Sequence, residues 1–236
     1  MTRFAPESNT TPSPGRRIRA ELTGLTPERR LAGRNLSKAD VSVYRVCGRR
    51  IAVKDYAARP FLARQTIGRL LVKRECRAYE QAGAAPGLAP FLGRLGPYTL
   101  ATGWIDALPL AELPAGTVSS EIFDRLDDVI AGLHARGVAI SDLHHRDVLV
   151  GGAGSVHVVD LAAACMLGSR PGVLRRRLFE SLSAQDRLAA ARMRARFTGA
   201  SEGEALSRID PGAVRLWGVA RRVKAIWDRL RRKPPE

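Results

Sequence analysis

Acidic residues are scarce in this chain: 23 aspartates and glutamates stand against 39 lysines and arginines in 236 residues, a formal net charge of +16. Long apolar runs are missing too. No stretch approaches the about 18 residues that mark a spanning helix, so none is expected. The opening residues, Met1 to Ser8, carry no apolar core of a secretory signal, and a cytoplasmic location is the expectation. Cysteine appears three times, at Cys47, Cys76 and Cys165; the odd number and wide spacing argue against a disulfide framework or a metal pair and for reduced thiols. Aromatic residues make up 6%, and no RNA-recognition signature is present, so nucleic acid is not the expected partner. No internal repeat at solenoid spacing is found.

What is present begins with the charge. A pI near 11.1 invites an anionic partner: a nucleic acid, an acidic membrane or a phosphorylated substrate. Charge alone does not choose among them, and the abundance of Ala and Arg equally fits a genomic composition bias. A hydrophobic fraction of 45% is enough for an ordinary packed core.

Residues 1–16, rich in Pro, Ser and Thr, are expected to form a disordered tail. Val41 to Val46 and Ile51 to Tyr56 read as strands joined by a Cys47–Arg50 turn. Ala63 to Gln81 reads as a helix with Ile67, Leu70, Leu71, Cys76 and Tyr79 in its apolar stripe, ended by Ala84-Ala85-Pro86-Gly87. Phe91–Leu95 and Tyr98–Thr102 read as paired strands, and Trp104–Pro109 as an extended connector, a natural hinge between two lobes. A helix following Ser119 and Ser120 runs to about Arg136 on Ile122, Leu126, Val129, Ile130 and Leu133, with Gly137 as its C′ residue. Two Arg-rich helices are expected near 173–197 and 211–233. The second is basic and amphipathic, with Trp217 and Trp227 on its apolar face. Residues 213–233 therefore suit either peripheral contact with an anionic membrane or docking on the rest of the chain.

The most informative stretch is Asp142-Leu143-His144-His145-Arg146-Asp147-Val148-Leu149-Val150. A Gly-Gly-Ala-Gly-Ser turn follows, and then Val156-His157-Val158-Val159-Asp160. The two apolar runs read as a hairpin, with Asp142 before it, Asp147 entering it and Asp160 closing it. A loop carboxylate, a polar residue five positions on and an Asp after the next hairpin reproduce the base and two metal ligands of a kinase catalytic loop. Any one Asp alone would be an ordinary turn or cap residue. Upstream, Lys54 ends Ile51-Ala52-Val53-Lys54, close to the strand that sets an ammonium on ATP phosphates; Glu75 or Glu80 is the carboxylate to hold it. Gly33 and Asn35–Lys38 occupy the place of a phosphate-covering loop without the full Gly-x-Gly-x-x-Gly pattern. Arg146 is placed to counter phosphate charge or to face solvent. His144 and His145 point to local hydrogen bonding or substrate contact, and His134 and His157 to packing or a solvent face.

Over residues 31 to 165 the chain resembles the protein-kinase-like superfamily, and within it the small bacterial lipopolysaccharide (Kdo-type sugar) kinases and RIO-like atypical kinases. The resemblance implies an α+β, bilobal fold: a 17–103 N-lobe, small and β-rich with one helix, and a shortened helical 104–236 C-lobe. It implies ATP and Mg²⁺ as cofactors. Lys54 would meet ATP phosphates with Glu75 as its partner, and the Gly103-Trp104-Ile105 backbone would meet the adenine edge. Asp142 would be the catalytic base, and Asp147 and Asp160 the Mg²⁺ ligands. Asp147 departs from the usual Asn, Ser141 from the usual Arg or Gly, and Leu161-Ala162 from Phe-Gly. No Ala-Pro-Glu motif follows Asp160, which favours a small or lipid-linked sugar acceptor near the inner membrane face over a peptide. A serine/threonine protein kinase and an inactive, nucleotide-binding pseudokinase are the alternatives.

Overall fold

The structure is a computed structural model; it describes residues 14–33, 38–201 and 203. The expected helix at 211–233, and with it the 213–233 membrane surface, lies outside the described residues. Contacts divide the chain into two compact units, one of described residues up to Cys76 plus Pro90–Trp104, the other of Arg77–Ala89 plus described residues from Ile105 onward.

The first unit is built on a sheet of β1 (Arg29–Leu31), β2 (Asp40–Val46), β3 (Arg49–Asp55), β4 (Phe91–Arg94) and β5 (Thr99–Gly103) in the order β1-β2-β3-β5-β4. All four pairings are antiparallel. The β2–β3 turn is tight because Cys47 and Gly48 both take positive φ, at 47° and 76°. Ile51, Val53, Leu95 and Ala101 pack under a helix, α1 (Pro14–Leu22), through Ile18 and Leu22. This helix starts within the stretch expected to be a disordered tail. Only two large apolar residues, Ile18 and Leu22, one turn apart, announce it, and it closes on β4 where a Cβ at Gly15 would meet the Arg94 carbonyl oxygen at 2.3 Å.

A short helix, α2 (Phe61–Ala63), runs through a π turn at Arg64–Gly68 into α3 (Arg69–Ala82). The π turn resets the helical phase, and the expected apolar stripe is corrected by it. Ile67 and Leu70 are exposed, whereas Gly68, Val72, Glu75, Cys76, Tyr79 and Ala82 face inward. Spacings of four, three, one, three and three keep that row on one face.

The second unit contains α4 (Ser120–Ala135), α5 (Val173–Thr198) and two small sheets. One sheet joins β6 (Ala107–Pro109), β8 (Val148–Gly151) and β9 (Val156–Val158); the other pairs β7 (Val138–Ala139) with β10 (Cys165–Met166). Helix α4 is capped by the Ser119 hydroxyl, which accepts from the Glu121 N–H, and Gly137 after it has φ 73°. Ile122, Phe123, Leu126, Val129, Ile130 and Leu133 of α4 are buried. The expected connector is partly a strand, since β6 pairs along β8.

Candidate active site

Lys54 lies near the end of β3, opposite Leu100 of β5, and Glu75 sits on the inward row of α3. The Lys54 ammonium donates to Glu75 Oε1 at 2.6 Å. Glu75 is fully buried and the Lys54 side chain is 18% exposed, so the cation spans from an enclosed carboxylate toward water. A carboxylate enclosed this way is retained only with a close partner. Glu80 is the exposed one of the two candidate acids. In the expected phosphate-covering segment, the Gly33 N–H is already donated to Asp40 Oδ1 at 2.8 Å, and residues 34–37 lie outside the described set.

The Gly103 N–H donates to the Pro90 carbonyl at 2.8 Å and the Trp104 N–H to the Arg50 carbonyl at 3.0 Å. Both donors are therefore used by the fold. The Ile105 carbonyl accepts from Ala107 N–H at 3.0 Å and keeps a second lone pair.

In the second unit, the loop after β7 carries Asp142 exposed to solvent, with Leu143 buried behind it. Ser141, just before Asp142, has φ 70°, and Asp160 has φ 72°. Both lie in the left-handed region, which non-glycine residues hold only when their surroundings impose it. For Asp160 part of that constraint is its own carboxylate, which accepts from the Ala162 N–H at 3.2 Å. Asp147 precedes β8, and its carbonyl accepts from the Val159 N–H at 2.8 Å. With Val148 opposite Val158, the β8–β9 register brings Asp147 and Asp160 to the same end of the hairpin.

Two carboxylates at one hairpin end fit a hard divalent cation whose other ligands are phosphate oxygens and water. No group of three or more His, Cys, Asp or Glu able to hold a metal alone occurs among the described residues.

Sequence reading missed Asp186 on α5. Its carboxylate is 1% exposed and accepts from the Ile140 N–H at 2.7 Å, the Ser141 N–H at 2.8 Å and His134 Nε2 at 2.9 Å. It fixes the two residues immediately before Asp142. The available signal is an acid in a mostly apolar row: Phe179, Ser183, Ala190, Met193 and Phe197 are its buried neighbours in register on α5.

His144 and His145 stack with ring centroids 3.9 Å apart, and the His145 ring lies 6.0 Å from that of Phe197. Burial first, and then the positive charges of His144, Arg196 and Arg146, hold His145 below the ordinary imidazole range. Burial alone does the same to His157, whose Nδ1 has no hydrogen-bond partner among the described residues.

A β-sheet unit with one inward helix carrying the Lys54 partner, and a helical unit with a loop-and-hairpin aspartate set, make a protein-kinase-like fold. The solved structures it resembles include two of Rio2 kinase from Chaetomium thermophilum. The ADP/Mg²⁺-phosphoaspartate complex aligns at TM-score 0.57 and 16% identity, covering 85% of this chain and 67% of that one. A second Rio2 structure aligns at TM-score 0.57 and 14% identity, over 85% and 68%. No protein-family model and no curated protein sequence matches the chain.

Proposed function

We propose that the protein is an ATP- and Mg²⁺-dependent phosphotransferase that moves the γ-phosphate to an acceptor hydroxyl. The carrying observation is the Lys54–Glu75 pair: a fully buried helix carboxylate holding a strand ammonium at 2.6 Å. Lys54 neutralises phosphate charge on the nucleotide, and Glu75 fixes where that ammonium sits. Asp142 orients the acceptor hydroxyl and takes its proton. Asp147 and Asp160 hold Mg²⁺, which when bound supplies charge neutralisation on the phosphates. Catalysis on this reading comes mainly from positioning and electrostatic stabilisation. On this reading residues 17–103 and 104–236 are the two lobes, although Arg77–Ala89 group by contacts with the second unit. Nucleotide and Mg²⁺ use gain support from the ADP and Mg²⁺ bound in the similar Rio2 complex.

For the acceptor we favour a lipopolysaccharide-type sugar or another anionic glycolipid at the inner membrane face, supported by the net charge of +16. A serine/threonine protein acceptor fits the fold equally, and the Rio2 likeness is the observation in its favour.

The test is γ-phosphate transfer from Mg·ATP in the presence of separate sugar, lipid and protein fractions, with Asp142→Asn and Asp160→Ala as comparisons. Labelling of a component by the wild type, lost in both variants, is the expected result and identifies the acceptor class. Nucleotide binding with no transfer to any fraction would turn the reading to a pseudokinase.

A further inference from the structure

We propose that Arg146 and Arg196 form an anion subsite beside Asp142 that holds a phosphate or carboxylate group carried by the acceptor. This rests on the phosphotransferase reading and specifies the chemistry of its substrate.

Arg146 belongs to the loop between Asp142 and Asp147, and Arg196 to the last turn of α5. One aromatic ring joins the two segments that carry them. Phe197 is 2% exposed; its ring packs against His145 at 6.0 Å and lies 5.4 Å from the Arg196 guanidinium carbon. The loop is held in place there because the Ala111 N–H donates to the His145 carbonyl at 3.0 Å. His144, stacked on His145, and Arg146, whose N–H donates to His144 Nδ1 at 3.3 Å, complete the group.

The contrast with Arg194, one turn's fraction away on α5, shows what is unusual. Arg194 is 6% exposed and its guanidinium bonds Ser120 Oγ, Asp124 and Asp127 at 3.0, 2.7 and 2.9 Å. Arg146 and Arg196 are exposed, and neither guanidinium makes an ion pair among the described residues. The loop segment with Arg146 and the two imidazoles thus adjoins the end of α5 with Arg196, and the carboxylates of that loop are Asp142 and Asp147, both assigned to the reaction. Guanidinium forks match phosphate and carboxylate oxygens. An acceptor with an anionic group near its reacting hydroxyl would relieve the like-charge crowding and be oriented by it.

The test uses the full chain and two readouts. In steady-state transfer from Mg·ATP, glucose, glucose 6-phosphate and glucuronate are compared as acceptors for the wild type, Arg146→Gln, Arg196→Gln and Arg196→Lys. Expected is a preference for the charged sugars and a KM for them raised about tenfold or more in each Gln variant. The effect should fall on KM rather than kcat, with partial recovery in Arg196→Lys; the two charged sugars separate a phosphate site from a carboxylate site. The second readout is the His145 imidazole NMR signal at fixed pH, followed while inorganic phosphate is added to protein saturated with Mg²⁺ and a non-hydrolysable ATP analogue. A saturable shift that disappears in Arg196→Gln supports the subsite even if no sugar is phosphorylated, in which case these three sugars fail as acceptors and the transfer reading is decided by the fraction experiment above. No saturable shift in the wild type, or equal shifts in wild type and Arg196→Gln, overturns the subsite.

Discussion

Glu75 on α3 and Asp186 on α5 occupy the same kind of position, an acid set into a mostly apolar helical row and almost fully enclosed. Their partners differ. Glu75 holds a side-chain cation that is itself partly exposed, whereas Asp186 holds two main-chain N–H groups and an imidazole. A side-chain partner can turn to water or be removed together with the acid. Main-chain donors cannot be removed, and without Asp186 they stay unmade, that of Ile140 buried and that of Ser141 partly so. The first arrangement is suited to presenting a charge, the second to holding a loop in shape.

Asp186→Leu is therefore expected to produce the largest loss of stability. Orphaning two main-chain donors and the His134 ring should cost about 3 kcal/mol or more. Chemical denaturation reads this, and a loss below about 1 kcal/mol would erase the distinction. Glu75→Leu leaves the Lys54 ammonium without its carboxylate and should cost stability, but less than Asp186→Leu, because the partly exposed Lys54 side chain has a path to solvent that the main-chain donors lack. A loss from Glu75→Leu as large as that from Asp186→Leu would make both acids scaffold residues.

His134→Phe sharpens the comparison on the Asp186 side. It keeps a ring beside Phe179, where the centroids are 6.2 Å apart, and removes one of three donors to the carboxylate. About 1 kcal/mol of stability should be lost, with Asp142-dependent transfer reduced less than in Asp186→Asn. The smallest effect concerns His157. Burial places its imidazole below the ordinary 6.5, so the unfolded chain takes up the proton first and stability falls as pH drops through that ordinary value. Denaturation midpoints between about pH 5 and pH 8 should show a slope that flattens in His157→Leu.

Periodicity made much of the fold legible in the sequence. The α4 row, the β2–β3 turn and the β8–β9 hairpin follow from alternation, helical spacing and turn residues within a few positions. Three features were not legible, for separate reasons. Helix α1 has little apolar signal because it is held by a glycine-mediated approach to β4. The α3 row was misphased because a π turn leaves no mark in residue spacing. Asp186 was lost among the many charges of α5, since an acid on a buried row looks like any other until its main-chain partners, 45 and 46 positions away, are seen. The aspartates and Lys54 stood out because the chemistry they suggest constrains residue type and spacing together.

The most direct test of the account is the affinity of the Glu75→Leu variant for Mg·ATP, measured by calorimetry against wild type. If Glu75 presents Lys54 to a nucleotide, affinity falls by about tenfold or more while the variant remains folded. Unchanged affinity in a folded variant would contradict it, and would leave the Lys54–Glu75 pair as part of the packing of the first unit and nothing more.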